Sequence, residues 1–474
     1  MRLGQTSVVH FGSQLLVTVA GFVANIYFVR TLGGDTLGAY FLVLGVLAWL
    51  SIVGDLGIRT AVKKRMSGTG EEAAFFTAGL LAQVVVLSAV AALVLVFADP
   101  LNRYLGVEAA TFVALLLVAR VFLSFVRAAL DGSHLVYVSS LLNPLEWGGR
   151  TTLQVTAVFF GFGLSGMLWG YFGAAIFAIA AGLFFLPAEL ATPDREHFDS
   201  LFSYSRYSWL AEFRHRSFLS MDTVVLGLFV STGFIAIYEI AWNIASVLAI
   251  FGTSVSKTLF PEISEQTSRQ SAEKAVRFTT QSLLYCGLFI APGLVGAVVV
   301  GDLVLALYDP EFVAGYWVLL VLIVARGIQL YHGQLTNVLS AIDRPDAVFR
   351  IDAAFVLTNL SLNVALVYSY GWMGAAVATT ISAVVGLVLA YYALSSVIDV
   401  SVPVVEIGKQ WVAALTMGGA TYYLRTLMAD STVTLLILVG IGAGIYFVVL
   451  WALSGRFRRA VVDNVPGDFL TGSG

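Results

Sequence analysis

The chain has 474 residues, of which 59% are hydrophobic and only 12% charged, with a formal net charge of −3 and a mean hydropathy of +0.89. That is far more apolar surface than a water-soluble core can hide, which excludes a soluble enzyme or a disordered chain. The single cysteine, Cys286, excludes an internal disulfide or a cysteine-based metal cluster, and no nucleic-acid partner is expected.

Apolar stretches recur along the whole sequence, and most reach the roughly 20 residues a helix needs to cross a hydrocarbon layer of about 30 Å. Segments such as LLAQVVVLSAVAALVLVF at 80–97 do not alternate, so they predict helices and not barrel strands. The expected spans are 8–30, 36–57, 74–97, 109–130, 140–162 and 165–187, then 204–230, 233–256, 278–301, 313–338, 347–369 and 372–396, and finally 405–427 and 431–453. The first continues into FVANIYFVR without an Ala-x-Ala pattern and is read as a retained helix. The fold class is therefore an all-α integral membrane protein of about 14 transmembrane helices.

The distribution of basic residues tests this arrangement, because one false span would swap every later loop. Eighteen fall on one side, from Arg2 and the Arg59–Arg65 cluster through Arg127, Arg206 and Lys274 to Arg456, Arg458 and Arg459; only Arg30, Arg103 and Arg425 fall on the other. Both termini are expected in the cytoplasm, with the chain in the cell (inner or cytoplasmic) membrane. The remaining five, Arg120, Arg150, Arg214, Arg216 and Arg326, lie at membrane depth.

Three segments repeat in order: LLVAR at 116–120 with LIVAR at 322–326, GLSG at 163–166 with GWMG at 371–374, and LGAY at 37–40 with IAIY at 235–238. Offsets that drift while order is kept are what loop insertions produce in a duplication. The organisation expected is an N-lobe of six helices (1–188), a cytoplasmic linker (189–203) carrying Pro193, a C-lobe of six (204–397), and a helix pair with a tail (398–474) outside the duplication. An even number of helices per repeat gives the lobes the same orientation, related by a pseudo-two-fold axis along the membrane normal.

Charge within hydrocarbon is costly, so these residues face either a protein interior or water. Glu146 with Arg150 and Glu212 with Arg216 are spaced i, i+4 and can neutralise each other. Arg120, Arg214 and Arg326 have no acid at that spacing, and the first and third are equivalents across the repeat. A guanidinium fork fits phosphate oxygens, so a site for a phosphate head group is one reading; an interhelical ion pair or snorkelling is the other. Gln329, Gly333 and Asn337 follow Arg326 on one stripe, suited either to sugar hydroxyls or to helix packing. Asp222, Asn359, Asn363, Thr379 and Thr380 are an oxygen-rich set, read either as a Na+ or H+ coupling site or as interhelical hydrogen bonding. The histidines show no ligand spacing, so no metal site is expected, and no Gly-rich phosphate loop supports ATP-driven transport.

The layout, together with NVALVYSYGWMGAAVATTIS (363–382), LGGDTLGAYFLVLGV (32–46) and FPEIS (260–264), resembles the polysaccharide transporter branch of the multidrug/oligosaccharidyl-lipid/polysaccharide exporter superfamily. The resemblance implies a V-shaped pair of lobes, a central cationic cavity open alternately to each side, and a lipid-linked oligosaccharide as substrate with membrane lipids around its tail. It also implies a monomer that is not an enzyme, and a role for 405–453 in shaping a groove for the lipid tail. In related lipid II flippases a sodium site joins an acid on the seventh helix, polar residues on the eleventh and a threonine on the twelfth. Asp222, Asn359, Asn363 and either Thr379 or Thr380 match that pattern, with Asn363 where those proteins have an acid. Two other classes stand as alternatives. A drug or metabolite antiporter of the same superfamily would carry an acid in the first span, which has none here, and a glycan polymerase or glycosyltransferase would need longer external loops than 98–108 and 301–312.

Overall fold

In a computed structural model the chain is described at residues 19–68, 70–187, 190–267, 272–342 and 344–464, with side chains at 207–220, 251–267, 272–278, 460, 461, 463 and 464 outside that description. Every regular element among the described residues is helical. Nine helices there are long and apolar enough to cross a membrane. The longest, Pro345–Ser395, is two of the expected spans joined across a break at Gly371, where φ is 57° and ψ is −141°. The described chain is a multi-pass helical membrane protein, as its composition requires.

Two compact units divide it, and each has its own core. Residues 21–239 contain most of α1 (Val19–Leu32), then α2 (Gly34–Asp55), α3 (Ile58–Met66), α4 (Glu72–Val96), α5 (Ala98–Leu105), α6 (Ala110–Gly132), α7 (Val136–Phe159), α8 (Gly163–Phe185) and α9 (Arg195–Phe229). The core of this unit joins Val62, Phe76, Phe125, Leu130, Leu142 and Ile179 from α3, α4, α6, α7 and α8. Short polar ties set the edges. Lys63 Nζ lies 2.7 Å from Asp131 Oδ2, fastening α3 to α6. The Tyr104 hydroxyl donates to the Val224 carbonyl at 2.6 Å, fastening α5 to α9; burial raises its phenol above the ordinary range and keeps it a donor. Asp194 and His197 form a capping box that starts α9.

Residues 240–474 contain most of α10 (Thr232–Thr267), then α11 (Ala272–Cys286), α12 (Ile290–Ala306), α13 (Tyr316–Ala341), α14 (Pro345–Ser395), α15 (Val404–Thr426), α16 (Thr432–Leu453) and α17 (Gly455–Asn464). Here the apolar contacts fall into several smaller clusters, such as Leu283, Leu339, Ile351 and Leu394 in one and Leu288, Ala413, Met417 and Tyr446 in another. Polar groups secure α15 and α16 at both ends. Arg425 holds Asp302 of α12 with two bonds of 2.8 and 2.6 Å and also reaches the Val299 carbonyl, while Gln410 donates to the Leu284 carbonyl and Tyr446 to that of Leu288, each at 2.8 Å.

The repeated GLSG and GWMG segments do the same local work. Gly163 and Gly371 have φ of 55° and 57°, a left-handed conformation that L side chains avoid, and each begins the last helix of its repeat. Three residues on, a methyl at Gly166 would stand 2.6 Å from Phe162 Cβ, and one at Gly374 would stand 2.0 Å from the Leu366 carbonyl oxygen. The first glycine turns the chain and the second lets two helices cross closely. On the outside, Val85, Val96, Phe184 and Leu436 are among many large apolar side chains left more than two-thirds exposed, a surface that only lipid covers.

Candidate functional site

In the unit of residues 21–239, Arg150 and Gln154 project from α7 toward Tyr40 of α2. The Tyr40 hydroxyl accepts from Arg150 Nη2 at 2.5 Å and from Gln154 Nε2 at 2.6 Å. The guanidinium carbon also lies 4.1 Å from the centre of the Tyr171 ring on α8, so aromatic faces and a neutral oxygen surround the charge. The i, i+4 partner expected for Arg150 is engaged elsewhere: Glu146 Oε2 accepts from Arg127 Nη2 of α6 at 2.7 Å. Arg127 is the nearer donor because α6 and α7 lie side by side and its fork also reaches the Leu142 carbonyl. Arg120, two turns earlier on α6, is half-buried, and among the described residues its guanidinium has no hydrogen-bond or ion-pair partner.

Arg326, in the unit of residues 240–474, is also half-buried on α13. Its Nη1 donates to Gln329 Oε1 at 2.9 Å and its guanidinium carbon lies 4.9 Å from the Trp242 ring, while Nε is buried without a partner among the described residues. Asn337 is half-buried three turns along the same helix. Arg120, Arg150 and Arg326 thus share one property: a cation within an expected span with no carboxylate hydrogen-bonded or ion-paired to it among the described residues, although Glu146 stays within electrostatic reach of Arg150. Such charges favour an anionic ligand, and their fork geometry suits phosphate oxygens. Arg214 and Arg216 lie outside the described side chains.

The oxygen-rich set divides between the units. Asn359, Asn363 and Thr379 come together in the 240–474 unit: Asn359 Nδ2 donates to Thr379 Oγ1 at 3.2 Å, and Asn363 Nδ2 to Asn359 Oδ1 at 3.1 Å, all buried. Thr380 instead donates to its own helix at Ala376. Asp222 belongs to the 21–239 unit, where its Oδ2 accepts from the Tyr238 hydroxyl at 2.5 Å, and the adjacent Thr223 hydroxyl donates to Glu239. The two carboxylates stand close enough to repel. Glu239 was missed by span-by-span reading, although 222 and 239 are equally distant from the turn at Val230 and Ser231, and such positions meet in a helical hairpin.

Trp242, Tyr40 and Tyr171 were also missed, because an aromatic ring in a span reads as ordinary apolar content. His332 was set aside for want of ligand spacing. Its partner is a carboxylate on the next helix: His332 Nε2 lies 3.6 Å from Asp352 Oδ1, both side chains buried.

The geometry can be compared with known proteins. A sequence profile of the family described as polysaccharide biosynthesis protein matches residues 3–267. The chain is 33% identical over 470 residues to a probable flippase, AglR, of Haloferax volcanii, covering 97% of this chain and 98% of the relative. It is 27% identical over 454 residues to a probable low-salt glycan biosynthesis flippase, Agl15, of the same organism, covering 95% and 94%. Among solved structures, the lipid II flippase MurJ in an inward closed conformation superposes with a TM-score of 0.81 over 96% of this chain and 100% of that one, at 15% identity, a likeness of fold.

Proposed function

As the chain belongs to the polysaccharide biosynthesis protein family, we propose that it is a flippase carrying a lipid-linked oligosaccharide, of polyprenyl or dolichyl phosphate type, from the cytoplasmic to the outer leaflet. Relatives named as flippases, alike over nearly their whole length, support the reading. The observation that carries it is the trio Arg120, Arg150 and Arg326, guanidinium groups within expected spans, none bonded to a carboxylate among the described residues. An anionic phosphate supplies the charge these residues lack, and the same charges repel cationic drugs, which argues against a multidrug antiporter.

In this reading the arginines are exposed to the two membrane faces in turn, by alternating access, and the polar head passes along protein while the isoprenoid stays in lipid. That division spares the head group the cost of entering hydrocarbon. Gln329 and Asn337 contribute amides to the sugars, with Arg214 and Arg216 as further head-group contacts. The protein acts as a monomeric transporter and not an enzyme, in the cell membrane with both termini cytoplasmic; residues 1–188 and 204–397 form its lobes, joined by 189–203, and 398–474 carries the additional helix pair.

The test is to follow a fluorescent polyprenyl diphosphate-linked disaccharide in proteoliposomes containing the full chain. Wild-type protein should expose the probe to an external quencher. Arg120→Ala with Arg326→Ala should abolish that movement while the protein still inserts and accumulates. Normal movement by the double variant removes the arginines from the mechanism.

A further inference from the structure

The buried pair His332 and Asp352 takes no part in binding an anionic head group, and its surroundings give it another task. Asp352 is 7% exposed and His332 4%. Asp352 is seven residues from the start of α14, about 10 Å along it, and His332 is nine residues from the end of α13. Both therefore lie inside the span and away from its ends. The Phe355 ring, one turn beyond Asp352, lies parallel to the imidazole at a centroid distance of 6.2 Å. From the other side of the break at Gly371, the backbone of Gly386 closes on the same ring: a methyl there would stand 3.3 Å from His332 Nε2. His332 thus touches both limbs of the broken helix. The limbs are joined again at Asn359 and Thr379.

At 3.6 Å the Nε2 to Oδ1 separation is too long for a hydrogen bond and short enough for an ion pair. One proton taken from water changes the pair from a neutral imidazole beside a carboxylate to imidazolium carboxylate, so its net charge goes from −1 to zero. In a low-dielectric interior that change is large, and it draws α13 and the first limb of α14 together. Past Asp352, α14 carries no charged residue through Ser395; before it, Asp346 and Arg350 pair with each other at 2.9 Å. On α13 the other ionisable groups are Tyr316, whose hydroxyl donates to the Val298 carbonyl, Arg326, bonded to Gln329, and Tyr331; α10, which meets α13 through Trp242, adds Tyr238, Glu239, Lys257, Glu262 and Glu265 in sequence. The neighbouring α11 adds Glu273, Lys274, Arg277, Tyr285 and Cys286 in sequence, and α12 adds Asp302, which Arg425 holds.

We propose that His332 and Asp352 form a proton-binding site whose protonation tightens α13 against the two limbs of α14 that meet at Gly371, and so couples proton movement to the conformational cycle. The site is independent of what the protein carries. It differs from the oxygen-rich set, since Asn359, Asn363 and Thr379 bring no titratable group of their own.

The experiment uses the full chain in liposomes and reads proton binding directly by infrared pH-difference spectra between about pH 3 and 8, since burial moves a histidine charge change below its ordinary range. The wild type should take up a proton with imidazole bands as pH is lowered; His332→Gln and Asp352→Asn should each lose the share that His332 adds to those of the other four histidines. Asp352→Glu keeps the carboxylate and should keep the bands at a shifted midpoint, which decides the matter if the other variants fail to assemble. Spectra unchanged in all three variants overturn the site. Since these spectra need no transport, they hold whether or not any probe is moved. A second arm imposes a gradient of one pH unit, which biases a coupled proton about tenfold. Movement of the fluorescent disaccharide probe should rise in the wild type and not in His332→Gln, with a sodium gradient affecting neither. No rise in the wild type overturns the coupling.

Discussion

Arg127 and Arg326 offer the same substitution in two electrostatic settings. Replacing Arg127 with methionine leaves the Glu146 carboxylate, at 9% exposure, without the guanidinium that binds it at 2.7 Å. Stranding one member of a buried pair costs about 3–5 kcal/mol. At Arg326 the balance differs, because methionine removes a cation whose presence in a span costs roughly 2.5–3.5 kcal/mol. Against that gain stand one charge-assisted bond to Gln329, about 1.5–3 kcal/mol, and the stacking on Trp242, up to about 2 kcal/mol. The opposing terms nearly cancel, so Arg326→Met should change stability by no more than about 1–2 kcal/mol while movement of the probe is lost. The assay is fluorescence-detected gel filtration of detergent-solubilised protein after heating. Arg127→Met should fall well below the wild type, Arg127→Met with Glu146→Leu should recover most of the loss, and Arg326→Met should stay near the wild type. If Arg326→Met falls as far as Arg127→Met, Arg326 is a structural ion-pair residue and the reasoning that assigns it to an anionic ligand is refuted.

Two further outcomes follow from the backbone and the hairpin. Gly371→Ala should lower the midpoint in the same heating assay by an amount equivalent to about 1–3 kcal/mol, because its φ and ψ lie in a region reserved for glycine; Gly440→Ala, with nothing within 4 Å of the added methyl, should be neutral or slightly stabilising. Tyr40→Phe removes the hydroxyl that accepts from both Arg150 and Gln154, and should weaken retention of the probe more than it weakens the fold, since Gln154 keeps its 2.8 Å bond to the Met167 carbonyl. Equal loss of heat stability and of probe retention would make Tyr40 a purely structural residue.

The contrast between Arg127 and Arg150 shows where sequence reading stops. Periodicity along one helix placed Glu146 and Arg150 on a common face, which is correct, but the competitor came from α6, and which helices are neighbours is a tertiary fact. Trp242 beside Arg326 and Asp352 beside His332 are of the same kind. What could be read was what recurs along the sequence. GLSG and GWMG carry glycines with nearly the same left-handed φ, and LGAY and IAIY end in tyrosines whose hydroxyls bond to functional-site candidates, Arg150 and Asp222. Hydropathy read the helical class from solvent chemistry alone, and the break at Gly371 falls between two of the expected spans. Glu239 was within reach of a simple symmetry about the turn, which hydropathy windows do not encode.

The guanidinium groups of Arg120, Arg150 and Arg326, none bonded to a carboxylate among the described residues, have an effect on the protein at rest. On the proposed head-group role, small anions from the medium, chloride or inorganic phosphate, should bind these cations one by one in the unloaded protein. Movement of the probe should then depend on buffer composition, slowing as compact anions compete with its phosphate groups for the proposed guanidinium contacts.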